Sequence, residues 1–80
     1  MFYVYRADNP ESLIIDPITN NHVFYNMDNL KIAVNRDARG DLFEDGDSVS
    51  YILIDLKNKT FKTITVYYVL IYTTEIEIEN

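Results

Sequence analysis

Eighty residues, 48% of them apolar, make one small domain (residues 1–80) with a thin core. The absence of cysteine excludes disulfide staples, zinc–thiolate sites and thiol catalysis, and two glycines leave no Gly-rich phosphate loop. A formal net charge of −6 sets the chain against DNA, RNA and anionic membranes, and makes a basic protein surface its natural charged partner.

Phe2-Tyr3-Val4-Tyr5 has strong strand propensity. Asp8-Asn9-Pro10-Glu11-Ser12 carries loop signals, and Leu13-Ile14-Ile15 is a short apolar run. Asp16-Pro17-Ile18-Thr19-Asn20-Asn21 reads as a turn, after which His22-Val23-Phe24-Tyr25 returns as a strand. The simplest local structure is a hairpin of residues 13–15 with residues 22–25. Residues 27–39 are the one helix candidate. Met27, Leu30, Val34 and Ala38 share a face with Ala33 beside them, Asn26 or Asp28 can cap the start, and Gly40 follows as a C-cap. The competing reading of Leu30-Lys31-Ile32-Ala33-Val34 as an alternating strand lacks such caps.

An acidic connection, residues 41–47, leads to the two most secure strands. Val49, Tyr51 and Leu53 alternate with Ser50, Ile52 and Ile54, and residues 61–73 are rich in Thr, Val, Ile and Tyr. Leu56-Lys57-Asn58-Lys59-Thr60 between them reads as a tight hairpin loop centred on Asn58, which tolerates positive φ. A bend near residues 72–74 precedes a Glu/Ile tail that forms a final edge strand or a protruding arm. The fold class is therefore α+β: a mostly antiparallel sheet of five to six strands over one short helix, with barrel-like closure as the neighbouring arrangement.

Catalytic and metal-binding patterns are missing. His22 is the single histidine, and no nucleophile motif accompanies it. The acids of residues 41–47 do not follow the EF-hand spacing, so a solvated turn is the plain reading and no metal or cofactor is expected. No apolar run reaches the ~18 residues of a membrane helix. Residues 1–8 lack the features of a secretory signal, so the expected location is the cytoplasm. Lys57, Lys59 and Lys62 precede Tyr67, Tyr68 and Tyr72, a basic-aromatic pattern that suits single-stranded nucleic acid. The field of the whole chain opposes that use.

The tail Glu75-Ile76-Glu77-Ile78-Glu79 is more specific. As a strand it spaces its carboxylates roughly 6.5–7 Å apart, close to the ~7 Å between neighbouring phosphates on one nucleic-acid strand. The same alternation also guards an exposed edge strand against aggregation.

Phe43-Glu44-Asp45-Gly46-Asp47 before a strand resembles the F-x-x-G-D turn of ASCH or PUA-like barrels. The Gly-x-Lys-x-x-Glu-x-Arg signature of the ASCH group is not matched around Lys31 to Arg36, so no function transfers.

The expectation is a non-enzymatic interaction protein: a small acidic inhibitor, of the phage anti-defence kind, that presents a nucleic-acid-like surface to a basic nucleic-acid-handling protein. Asp41, Glu44, Asp45, Asp47, Glu75, Glu77 and Glu79 are the candidate phosphate-like anions. The alternatives are a homo-oligomer or other structural pairing through the C-terminal strand, and a small nucleic-acid-binding module.

Overall fold

A computed structural model of the chain describes residues 1–42, 46–69 and 73–79. The elements run β1 (Phe2–Arg6), β2 (Asn9–Leu13), α1 (Met27–Arg39), β3 (Ser48–Asp55), β4 (Thr60–Val69) and β5 (Thr73–Glu79). All strand pairs are antiparallel, in the order β2-β1-β3-β4-β5. Strands β1, β3, β4 and β5 form regular ladders, whereas β2 is short and meets β1 through a register shift at Tyr5/Arg6. The sheet is open, not barrel-like: β2 and β5 lie at opposite edges, and no pairing joins them among the described residues.

The helix occupies its expected residues for the expected reasons. Asn26 is extended and its side chain accepts from the Asp28 N–H at 2.7 Å, which satisfies one of the first-turn donors. Leu30, Ala33, Val34 and Ala38 are buried, and the helix packs across β3, β4 and β5. Gly40 ends it in an ordinary right-handed conformation (φ −64°), so the left-handed freedom of glycine is not used there. The strands contribute Val4, Val49, Tyr51, Leu53, Ile64 and Val66 to the same core, with Ile78 packed against it.

The segment before the helix departs from expectation. Residues 9–12, read as part of a loop, form β2 together with Leu13, and Pro10 is tolerated because β2 is an edge strand. The expected hairpin of residues 13–15 with 22–25 does not form. Both segments instead dock on β1: the Ile14 N–H donates to the Val4 carbonyl at 2.8 Å, and Phe2 and Phe24 exchange backbone hydrogen bonds of 2.8 and 2.9 Å. The free side of β1 is thereby sealed along its length, which removes an exposed edge that β2 alone would leave. The turn at residues 16–21 is present. Its Asp16 is 2% exposed, and the carboxylate accepts from the Ile18 N–H at 2.9 Å.

The β3–β4 hairpin closes over four residues, with Asp55 opposite Thr60. Asp55 accepts from the Lys57 and Asn58 N–H groups and from the Asn58 side chain. The side-chain bond from Asn58 is the main reason that the Asp55 pKa is lowered. The stabilisation it gives is present above the usual Asp range near about pH 4 and is lost as pH falls through the lowered value. The positive φ falls on Lys59 (54°), not on Asn58, whose side chain is occupied by Asp55. Lys59→Gly should therefore raise stability by roughly 0.5–1 kcal/mol, read as a higher urea midpoint. An unchanged or lower midpoint would show that Lys59 is not strained.

Candidate interaction surface

The two acidic segments are far apart in sequence, and the topology brings Asp47 close to Glu75, the first of the row, while the row runs along β5 to Glu79 opposite Thr63. The Tyr68 N–H donates to the Asp47 carbonyl at 2.8 Å, and the Gly46 N–H donates to the Tyr68 carbonyl at 3.2 Å. Tyr68 pairs with Thr74, the neighbour of Glu75. Ser48, Tyr67 and Glu75 form one cross-strand row, so the end of the 41–47 connection lies two ladder spacings, ~10 Å, from the start of the glutamate row. Along β5, Glu75, Glu77 and Glu79 take register positions opposite Tyr67, Thr65 and Thr63. Glu44 and Asp45 lie outside the described residues.

Asp41 belongs to a polar network that the sequence reading missed. The Arg6 guanidinium Nη2 donates to Asp41 Oδ2. Arg6 Nε lies 3.5 Å from Asp37 and 3.7 Å from Asp8. Those are ion-pair distances without hydrogen-bond geometry, and Nε has no hydrogen-bond partner. Tyr51 is fully buried under the helix, and its hydroxyl donates to Asp37 at 2.6 Å. Asp37 stands in the last helical turn, where a carboxylate opposes the helix dipole. Tyr51 and Arg6 offset that repulsion. One arginine thus gathers three carboxylates, and the group keeps a local negative charge while Asp41 is internally paired. An open cleft of about 590 Å³ lies beside it, lined by Arg6, Ala7, Asp8, Asp41, Ser48, Val49 and Ser50.

Burial, and then the bond to Asp37, push the Tyr51 phenol far above its ordinary value. The phenol therefore stays a neutral donor in the folded state. Its pKa is raised relative to the unfolded chain, so its stabilisation is complete below about pH 10 and is lost as pH rises beyond it. Tyr51→Phe should cost about 1–2 kcal/mol at pH 7 and flatten the decline of stability above pH ~10. Parallel urea titrations of both proteins at neutral and alkaline pH check this. Equal alkaline slopes would contradict it.

The hairpin lysines lie at the end of β4 far from Asp47 and Glu75, the end toward which the glutamate row runs. Lys57 and Lys59 are exposed in the β3–β4 hairpin, and Asp55–Thr60 pairing puts them about 25 Å along β4 from Tyr67. Tyr68 packs against the core, so those lysines and tyrosines do not form one platform. Tyr72 lies outside the described residues. His22 is exposed, and among the described residues no cluster of three or more His, Cys, Asp or Glu could hold a metal ion. No helix is long and apolar enough to cross a membrane among the described residues.

Comparison with known proteins gives no match to a family model, a curated protein or a solved structure. The resemblance of the Phe43–Asp47 turn to ASCH or PUA-like barrels therefore has no support at the level of the whole chain.

Proposed function

We propose that this protein is a non-enzymatic, cytoplasmic inhibitor that offers an acidic, nucleic-acid-like surface to a basic nucleic-acid-handling protein. The observation that supports the reading is the proximity of Gly46 and Asp47 to Glu75 at the start of the Glu75, Glu77 and Glu79 row, positions separated by some thirty residues of chain. Asp8 and Asp37, held near Asp41 by Arg6, extend the negative end. Asp47, Glu75, Glu77 and Glu79 are the central anions, with Asp41, Glu44 and Asp45 as the contributing loop.

The phage anti-defence class fits a short, acidic, single-domain chain of this kind. A competition assay tests the reading once a partner is in hand: the protein should displace a labelled oligonucleotide from it, and displacement should weaken steeply with salt. Binding without displacement would place contact elsewhere on the partner.

A second reading rests on β5 as the long edge strand. An edge with unpaired backbone groups can take up another strand, from a second copy or a different protein.

A further inference from the structure

The backbone directions of the ladder leave β5 with an open edge. The Tyr68 N–H and carbonyl are taken by Asp47 and Gly46, on the β3 side of β4. Backbone groups alternate along a strand, so those of Tyr67, Thr65 and Thr63 turn to the β5 side, where their partners are Glu75, Glu77 and Glu79. The main-chain groups of Thr74, Ile76 and Ile78 therefore point away from β4. No strand meets them among the described residues. The two parities of β5 also differ in face. Ile76 and Ile78 hold positions opposite the buried Val66 and Ile64, and Ile78 packs against the core. The glutamates take the parity of the outer face, which Tyr3, Tyr5, Ile52, Ile54 and Phe61 share on the other strands.

We infer that this edge takes up, antiparallel, a strand of the partner in which lysine or arginine alternates with apolar residues. The inference rests on the acidic-surface reading and names the element of the basic protein that makes the contact. The open N–H and carbonyl groups of Thr74, Ile76 and Ile78 supply the main-chain hydrogen bonds, and the side-chain alternation chooses the occupant. Glu75, Glu77 and Glu79 fall at the positions that exchange no hydrogen bonds with an added strand. Those are the closer pairs of an antiparallel ladder, with Cα atoms ~4.5 Å apart. A cation opposite each glutamate is therefore near enough to pair. The spacing matches without adjustment, because alternate residues of both strands repeat every ~7 Å. The apolar positions of the added strand fall beside Ile76 and Ile78, on the helix side, and lengthen the core there.

The same geometry rejects a second copy. Two β5 strands joined antiparallel in one continuous sheet, with their helices on the same side, put glutamate opposite glutamate in those close pairs. Like charges directly opposite destabilise a ladder. A one-residue slip sets glutamate against isoleucine and turns the second helix to the opposite face, so neither apolar row continues. The net charge of −6 adds to the repulsion between copies, and it also refuses a nucleic-acid strand.

Amide-resolved NMR titration of the full chain with synthetic peptides at low ionic strength tests it. The probe is a peptide long enough to span β5 that alternates lysine with valine. The reference has the same composition with its lysines in one block. The alternating peptide should bind at least ~10-fold more tightly than the reference and should slow hydrogen exchange at Thr74, Ile76 and Ile78. N-methylation of its valine positions, whose N–H groups face β5, should remove that advantage, and N-methylation of its lysine positions should spare it. Glu75→Lys with Glu77→Lys and Glu79→Lys should abolish binding of both peptides. Phe61→Thr, an exposed change on the outer face away from the edge, should leave binding unchanged. Equal, glutamate-dependent affinity for the two peptides, or indifference to N-methylation at valine, would overturn the strand pairing and leave the acidic surface standing. A wild type that binds neither peptide better than the triple variant does would remove the acidic surface as well. Loss of binding in Phe61→Thr would move the contact to the outer face. A dimer that protects the same three amides without peptide would give the edge to a second copy. Either result would overturn the proposal.

Discussion

Replacing Glu75, Glu77 and Glu79 together by lysine should abolish capture of the basic partner. The change brings the formal net charge from −6 to zero and turns the row from attractive to repulsive. Each carboxylate in contact with a cationic groove is worth about 1 kcal/mol at an exposed rim. Reversal loses that term three times and adds repulsion, so affinity should fall at least ~100-fold, mostly through a slower on-rate, and the steep weakening with salt should flatten or invert. The three positions lie on an edge strand opposite Tyr67, Thr65 and Thr63, so the fold should survive. Isothermal titration or surface plasmon resonance against the captured partner measures the loss, with circular dichroism as the control for folding. Unchanged affinity in a folded variant would remove the C-terminal strand from the interface and the proposed function with it.

Phe24→Ala should have the largest effect on stability. Phe24 is fully buried, joins the main core cluster, and pairs by backbone with Phe2, so it fixes the 16–26 segment to β1. Truncating a buried phenylalanine costs about 3–5 kcal/mol, because transfer energy is lost and the remaining space closes only in part. A domain of this length is stabilised by roughly 4–12 kcal/mol in total, so the variant should have a strongly lowered urea midpoint, and at the lower end of that range should be partly unfolded in buffer. The free side of β1 would open with it, and aggregation through that exposed strand should follow. A loss below about 1 kcal/mol would mean that the segment contributes little packing to the sheet.

The elements that were legible in the sequence are those whose signals are local. The helix has a cap at Asn26 and a face spaced by three and four residues, and both act within the segment itself. Strands β3 and β4 alternate cleanly because one face is buried against that helix. The loop signals of Asp8, Asn9 and Pro10 pointed away from a strand, yet β2 forms there because an edge strand tolerates proline and because β1 supplies partners. Phe24 has strand propensity but finds its partner in Phe2, a contact that no local pattern encodes. Lys59 takes the left-handed turn position although Asn58 is the better residue for it, since the Asp55 carboxylate engages Asn58 first.

The candidate surface was readable only in pieces. The glutamate row and the acidic loop stand out in the chain, but their proximity depends on the Asp47–Tyr68 pairing and the order β3-β4-β5. Asp41 looks like a free anion in sequence and is paired with Arg6 in the fold. The Arg6, Asp37 and Tyr51 group draws on three elements. Its one sequence signal is an aspartate in the last helical turn, where a carboxylate is disfavoured unless something holds it. The apolar outer face was hidden in the same alternation that revealed the core: Tyr3, Tyr5, Ile52, Ile54 and Phe61 are the residues between the buried ones.

The most direct test of the account is a tagged pull-down from a lysate of the source cells, eluted with a salt gradient and identified by mass spectrometry, with the triple Glu75, Glu77 and Glu79 to lysine variant run in parallel. The account predicts a basic nucleic-acid-binding protein that the wild type retains, that moderate salt releases, and that the variant fails to capture. Recovery of the bait alone, or of a partner that resists salt and is captured equally by the variant, would contradict it.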